Sequence, residues 1–171
     1  TVSKNNKKYS FKNGILYNKD FTNVIMCAEG IKGKVEVPEG VTSIGFAAFS
    51  ACSNVTSVTL PGGVTSIGGI AFCECSSLTS IEIPSSVTTI EDDAFYGCDK
   101  LVIICEKDSY AYSFAKGKKI PVKIAEKVKR PAGKGTTFTI TKNNIKVKVT
   151  STGTSNPTVA VTKISNSSAK K

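Results

Sequence analysis

Histidine and tryptophan are absent from the 171 residues, and methionine occurs once. Without histidine, Ser-His and Cys-His nucleophile pairs, histidine general bases and zinc sites that use an imidazole are all excluded. Long apolar runs are also missing, since none approaches the roughly 18–20 residues that a membrane-spanning helix needs. The sequence therefore excludes several classes of catalytic site, and a membrane-spanning helix within these residues, before any motif is considered.

The first residues, TVSKNNKK, contain no apolar stretch of the kind found in a signal peptide. Two interpretations stay open at this point. The protein is cytoplasmic, or a leader was removed before this numbering begins.

The formal charge of +10 is distributed unevenly along the chain. Residues 1–34 carry seven lysines and two acids, which gives +5. Residues 35–115 carry two lysines and ten acids, which gives −8. Residues 116–171 carry fourteen basic residues and one acid, which gives +13. The ends are basic and the middle is acidic, so we place boundaries near residues 34 and 116.

A 23-residue repeat fills the acidic middle of the chain. Three segments align without gaps, namely VEVPEGVTSIGFAAFSACSNVTS (35–57), VTLPGGVTSIGGIAFCECSSLTS (58–80) and IEIPSSVTTIEDDAFYGCDKLVI (81–103). Residues of the same chemistry recur at this step in the following columns: Pro38, Pro61 and Pro84; Val41, Val64 and Val87; Ile44, Ile67 and Ile90; Ala48, Ala71 and Ala94; Phe49, Phe72 and Phe95; Cys52, Cys75 and Cys98; Val55, Leu78 and Leu101; Val58, Ile81 and Ile104.

Such a period predicts a solenoid, because one coil cannot bury its own apolar face whereas stacked coils share a continuous core. Each coil is expected to open with a short strand that the proline ends, since proline has no N–H for a strand ladder. The strands should stack in parallel about 4.8 Å apart. The three phenylalanines should then form an aromatic column.

The phrases VPEGVTSIGFAAFSAC, LPGGVTSIGGIAFCECSSLTSIEIP and VTTIEDDAFYGC resemble the BspA-like class of bacterial leucine-rich repeats. The resemblance covers about residues 10–124. It implies an α+β, mainly β fold, in which parallel strands stack in coils of about 23 residues. It also implies an N-terminal strand cap, in which residues 11–30 form a strand pair, and a closing unit at 101–124. A short helix near 108–116 would cover the last coil with Tyr110, Tyr112 and Phe114.

We therefore divide the chain into four parts. Residues 1–34 form a strand-rich cap and residues 35–124 form the repeats with their closing cap. Residues 125–135 read as a linker, because they are rich in proline, glycine and lysine. Residues 136–171 alternate as strands around a turn at 142–144 and form a partial β module. Either the polypeptide continues past residue 171, or this module docks on a neighbour.

The six cysteines are interpreted as reduced, structural thiols. Cys52, Cys75 and Cys98 share one position in successive coils, and three thiols in a row cannot all pair. Cys27, Cys73 and Cys105 are placed outside that column. The pair Cys73 and Cys75 has no partner pair at zinc spacing, so no metal site is predicted.

The sequence favours a non-enzymatic binding role. Carboxylates cluster only at Glu91, Asp92 and Asp93, which read as a solvated corner, and no phosphate-binding glycine loop occurs. Glycines 62–63 and 68–69 are assigned to turns that require positive backbone angles. We predict no catalytic, cofactor or metal site.

Candidate binding positions are the outward residues of the stacked strands, which are small and polar: Lys34, Glu36, Ser57, Thr59, Ser80 and Glu82. The resemblance implies a cell-surface or secreted protein that contacts host or matrix proteins or other cell-surface components. A spacer that projects other domains from the cell wall is the alternative. The basic ends could contact anionic wall polymer weakly, whereas the acidic repeats argue against nucleic acid.

Overall fold

The computed structural model describes residues 2–3 and 5–125, together with the backbone of three later strands at 137–142, 145–151 and 159–166. The chain divides into two compact units, Thr1–Glu126 and Lys127–Lys171. The predicted linker falls at this division, and all of it after residue 125 lies outside the described residues. The four-part division of the chain stays a prediction.

The first sheet begins with an antiparallel meander of β1 (Tyr9–Lys12), β2 (Ile15–Asn18) and β3 (Asn23–Cys27). Positive φ angles at Asn13 (51°) and Gly14 (78°) form the tight hairpin turn between β1 and β2. Three two-residue strands then continue the sheet in parallel: β5 (Ser43–Ile44), β7 (Ser66–Ile67) and β9 (Thr89–Ile90). These strands are the returning stretches of the coils.

A second sheet contains the strands that open the coils. Its members are β4 (Gly33–Glu36), β6 (Val55–Thr59), β8 (Ser80–Glu82), β10 (Val102–Cys105) and β11 (Val122–Ile124). All four pairings in this sheet are parallel. The alternation of the two sheets along the chain confirms the predicted solenoid.

The core between the sheets consists of the repeating apolar columns. The valine, isoleucine and alanine columns are buried in all three repeats. The phenylalanine rings stack with centroid distances of 4.9 Å between Phe49 and Phe72 and 5.3 Å between Phe72 and Phe95. Phe114 then meets Phe95 edge-on at 6.1 Å and closes the column. The predicted aromatic column is confirmed.

The closing helix α1 spans Tyr110–Gly117 and begins where the Ser109 hydroxyl accepts the N–H of Tyr112. The predicted helix is therefore confirmed, but one of its predicted cover residues is wrong. Tyr110 is 44% exposed, whereas Ala111 and Ala115, one turn apart, are buried against the last coil. No helix among the described residues is long and apolar enough to cross a membrane.

The expected continuation of the Val58–Ile81 column by Ile104 is wrong. Ile103 pairs with Ile81 and is fully buried, whereas Ile104 pairs with Glu82 and is half-exposed. One residue separates Leu101 from Ile103, but two separate the corresponding Leu78 from Ile81. The closing strand is therefore one residue short of the repeat, and side-chain alternation turns Ile104 outward.

The expected positive angles at glycines 62–63 and 68–69 are also wrong, because none of the four has a φ in the left-handed region. Glycine is needed at position 68 for a different reason, namely that the neighbouring coil leaves no room for a side chain. A Cβ there would lie 2.9 Å from the backbone nitrogen of Phe46. The left-handed positions recur elsewhere in the coil, at Ala51 (58°), Glu74 (57°) and Gly97 (73°).

The second unit contains a three-stranded antiparallel sheet in the order β12 (Thr137–Lys142), β13 (Ile145–Ser151) and β14 (Val159–Asn166). These strands agree with the strands that the sequence predicts on either side of the turn and near residues 158–164. The turn residues 143–144 lie outside the described residues.

Candidate interaction surface

The outward face of the second sheet collects all six predicted binding residues into two columns. Strand register places Lys34 beside Ser57 and Ser57 beside Ser80 in one column. The other column runs from Glu36 through Thr59 to Glu82. The two serines are half-buried, and the other four side chains are exposed. We call this surface the sheet face, and its binding role stays a prediction.

The sheet face extends further than the sequence indicated. Val102 lies beside Ser80, Ile104 beside Glu82, and Lys123 of β11 beside Ile104. Val102 and Ile104 are half-buried, so this end of the surface is apolar. This extension was not predicted from the sequence, because an alignment at 23 residues pairs Ile104 with Ile81 and so places Ile104 in the core.

The chemistry of the sheet face is that of hydrogen bonding and charge pairing. Hydroxyls and alternating charges stand on a parallel ladder whose backbone is held by regular pairing. Along its margin the Thr79 hydroxyl donates to the carbonyl of Thr56 at 2.9 Å, which ties one coil to the next. Such a surface can recognise an extended partner without moving.

The cysteines form a buried ladder of free thiols. Cys75 donates to the carbonyl of Phe49 and Cys98 to that of Phe72, each at 3.0 Å. Cys27 lies outside the 23-residue column but directly beside it, since the Cys52 thiol donates to the backbone carbonyl of Cys27 at 3.9 Å. Cys27 belongs to the meander, where the 23-residue period does not apply, so spacing alone could not place it.

Thiol contacts and burial set the acidity of this ladder. Contact with the Cys52 thiol, followed by burial, raises the pKa of Cys27, and the same contact lowers the pKa of Cys52. Contact between the Cys75 and Cys98 thiols likewise raises the pKa of Cys75 and lowers the pKa of Cys98. Burial raises the pKa of Cys105, which stands apart from the ladder. The three buried thiols whose pKa is raised, Cys27, Cys75 and Cys105, are therefore poor nucleophiles.

The carboxylates at 91–93, which we call the acidic corner, are solvent-exposed. Asp92 pairs with Lys118 at 2.9 Å, and the Asp93 carboxylate accepts the backbone N–H of Ile70 at 3.2 Å. The first contact joins the last coil to the closing cap, and the second joins two adjacent coils. Across residues 2–3 and 5–125, no group of three or more Cys, Asp or Glu side chains is arranged so that it could hold a metal ion.

Two exposed aromatic side chains were missed by the sequence analysis. Phe46 is 71% exposed and Tyr96 is 68% exposed, both on the turn side of the coils rather than on the sheet face. Phe46 lies against Gly69, where an added Cβ would contact its ring at 3.5 Å. Neither aromatic recurs at its own position in the neighbouring coils, so the periodic pattern does not reveal them.

Comparison with known families gives one match over most of the repeats. The profile of the family described as "BspA type Leucine rich repeat region" matches residues 26–129 in six copies. No curated protein gives a significant match to the chain.

Two solved structures are similar. A leucine-rich repeat protein from Eubacterium ventriosum is 30% identical with a TM-score of 0.57, and the match covers 63% of this chain and 29% of that one. A leucine rich cell surface protein from Faecalibacterium prausnitzii is 25% identical with a TM-score of 0.48, and the match covers 71% and 41%. The chain thus spans less than half of either relative.

Proposed function

Because the chain belongs to the BspA-type leucine-rich repeat family, we propose that it is a non-enzymatic binding module of a bacterial cell surface. Its sheet face contacts proteins or cell-surface polymers. The observation that carries this proposal is the unbroken register of the two outward columns, from Lys34 and Glu36 on β4 to Val102 and Ile104 on β10. A regular ladder of this length offers a preorganised surface, which lowers the entropic cost of binding.

A non-enzymatic role is supported by the chemistry of the side chains. The sequence holds no histidine to act as a general base. Burial raises the pKa of Cys105, and a thiol contact raises that of Cys75, so neither is poised as a thiolate nucleophile. The carboxylates of the acidic corner are exposed, and two of them already hold Lys118 and the Ile70 N–H.

The partners we propose are host or matrix proteins or other components of a cell surface. The face carries both charge signs, with Glu36 and Glu82 against Lys34 and Lys123. It therefore suits a polar partner of mixed charge rather than a polyanion. Weak contact with anionic wall polymer is assigned to the basic ends of the sequence, and nucleic acid is not proposed.

The second candidate is a spacer that projects other domains from the cell wall. It is favoured by the capped, continuous core, in which ring stacking and coil-to-coil hydrogen bonds join the coils of Thr1–Glu126 into one compact unit. A spacer needs no ligand, so the two candidates make different predictions about capture.

The test is capture of immobilised fibronectin, laminin and collagen by the purified chain, across a salt titration. A binding module predicts capture of at least one of them at physiological salt. No capture there favours the spacer. Capture that disappears at modest salt assigns the contact to the basic ends, because surface charge pairs are screened within about 8 Å under these conditions.

A further inference from the structure

In the part of the chain that the structure describes, strand β4 lies at one end of the second sheet. Among the described residues its sole partner is β6, which makes β4 the edge of the second sheet. The N–H groups of Gly33 and Val37 donate to the carbonyls of Asn54 and Thr59, at 2.9 and 3.0 Å. Backbone groups alternate sides along an extended strand, so those of Lys34 and Glu36 face away from β6.

The two ends of the solenoid are finished differently. At the closing end, β11 pairs with β10 and α1 packs over the core. At the opening end, β1 and β2 extend the first sheet beyond β3. No described strand extends the second sheet past β4. The N-terminal cap therefore covers one sheet and leaves the other with an open edge.

A groove of about 310 Å³ runs along this open edge. Its floor is apolar and includes Ile15 and Tyr17, which are each 2% exposed, together with the half-buried Ile31. Charged side chains line its rim, and their sum is positive: Lys12, Lys34 and Glu36. We call this feature the edge groove.

We propose that the edge groove binds an extended segment of another protein, which adds a strand to β4 and brings a carboxylate side chain beside Lys12 and Lys34. The main chain of that segment would pair with the outward-facing backbone groups of Lys34 and Glu36, while an apolar side chain rests on the half-buried Ile31. Strand addition is a common mode of peptide recognition at open sheet edges.

An extended polypeptide fits these observations better than a small molecule does. The open donors and acceptors repeat at the spacing of a β-strand, which another main chain matches directly. The stretch is short, because Pro38 has no N–H to offer. Two lysines against one glutamate favour an acidic side chain in the incoming segment. This proposal depends on the backbone groups of β4, whereas the proposed role of the sheet face depends on its side chains. The two can therefore be tested independently.

The direct test is amide hydrogen exchange in the ¹⁵N-labelled full chain. The probe is a capped hexapeptide of sequence Thr-Asp-Val-Thr-Val-Thr at millimolar concentration. We expect exchange at the Lys34 and Glu36 amides to slow by about tenfold or more, as main-chain pairing requires. The exposed Lys107 amide should be unchanged. The same peptide, methylated on alternate nitrogens so that it cannot pair with β4, should give no slowing.

A pair of variants provides a second test. Glu36→Pro removes the outward N–H, whereas Glu36→Ala keeps it and removes only the side chain. We expect Glu36→Pro to abolish the protection at Lys34, and Glu36→Ala to retain it. Should Glu36→Pro fail to fold, the methylated peptide still decides the matter. Unchanged exchange with the parent peptide, or equal slowing by the methylated peptide, would overturn the proposal.

Discussion

Phe49 and Phe72 stack face to face, with ring centroids 4.9 Å apart and planes 9° from parallel. These residues are 23 positions apart in the sequence and belong to successive coils. Phe95 repeats the relationship with Phe72 at 5.3 Å and 8°. Each step of 23 residues in the sequence thus corresponds to one step in the stack of rings in the core.

Replacing the central ring should therefore destabilise the whole repeat unit. Phe72 is fully buried with rings on both sides, so Phe72→Ala should lower the free energy of unfolding by about 3–5 kcal/mol. Phe72→Leu keeps more of the volume and should lose clearly less. Urea unfolding followed by circular dichroism measures both. A Phe72→Ala protein as stable as the parent would contradict a stacked core.

Two glycines make a matched pair that tests how closely the coils approach. Gly68→Ala would bring its Cβ within 2.9 Å of the Phe46 nitrogen and 3.2 Å of the Ile44 carbonyl oxygen. Backbone must move to accept it, so we expect a loss of about 1–3 kcal/mol. Gly62→Ala meets no atom within 4 Å and should stay within about 0.5 kcal/mol of the parent. Equal effects in the two melts would refute the close approach.

Replacing an alanine whose backbone is in the left-handed conformation should stabilise the protein. Ala51 has a φ of 58°, which glycine adopts without a steric penalty, so Ala51→Gly should raise the free energy of unfolding by about 1 kcal/mol. Ala28 is exposed, and its φ is not positive. Ala28→Gly should therefore destabilise by roughly 0.5–1 kcal/mol, through chain entropy alone. Thermal unfolding that shifts in the same direction for both variants would argue against the strained turn.

Cys105 should make stability depend on alkaline pH. Burial raises its pKa, so the folded chain keeps the proton after the unfolded chain has released it. Its contribution is complete below the unfolded pKa of about 8.5 and is lost as pH rises through the folded value. Between about pH 8.5 and that value, the parent should lose up to about 1.4 kcal/mol per pH unit relative to Cys105→Ala. Urea melts of both proteins across that range measure the difference, and a constant difference would contradict it.

Most of the coil interior could be predicted from the sequence, because stacking forces the same side chain to recur at the same place. The columns headed by Val41, Ile44 and Phe49 are all buried as expected. Prediction was wrong where periodicity stops. Ile104 turns outward because the closing strand is one residue short of the repeat. The contact of the Cys52 thiol with the Cys27 carbonyl was not predicted either, because Cys27 lies in a meander with different spacing.

The candidate surfaces also include some residues that the sequence could predict and others that it could not. The six residues of the sheet face were predictable, since their outward orientation follows from strand alternation within the repeat. The open edge at Lys34 and Glu36 was not, because it depends on which strands of the cap pair with β4. The exposed Phe46 and Tyr96 also escaped prediction, since each is a single departure from its column.

The binding role of the sheet face is tested most directly by a bulky charge at its centre. Thr59 is exposed between Glu36 and Glu82, whereas Ser76 is exposed outside the strands of the same coil. The dissociation constant for the captured matrix protein should rise about tenfold or more with Thr59→Arg, equivalent to about 1.4 kcal/mol. It should change less than about twofold with Ser76→Arg, as expected outside an interface. Unchanged affinity in the Thr59→Arg variant, or no capture by the parent chain, would contradict the account.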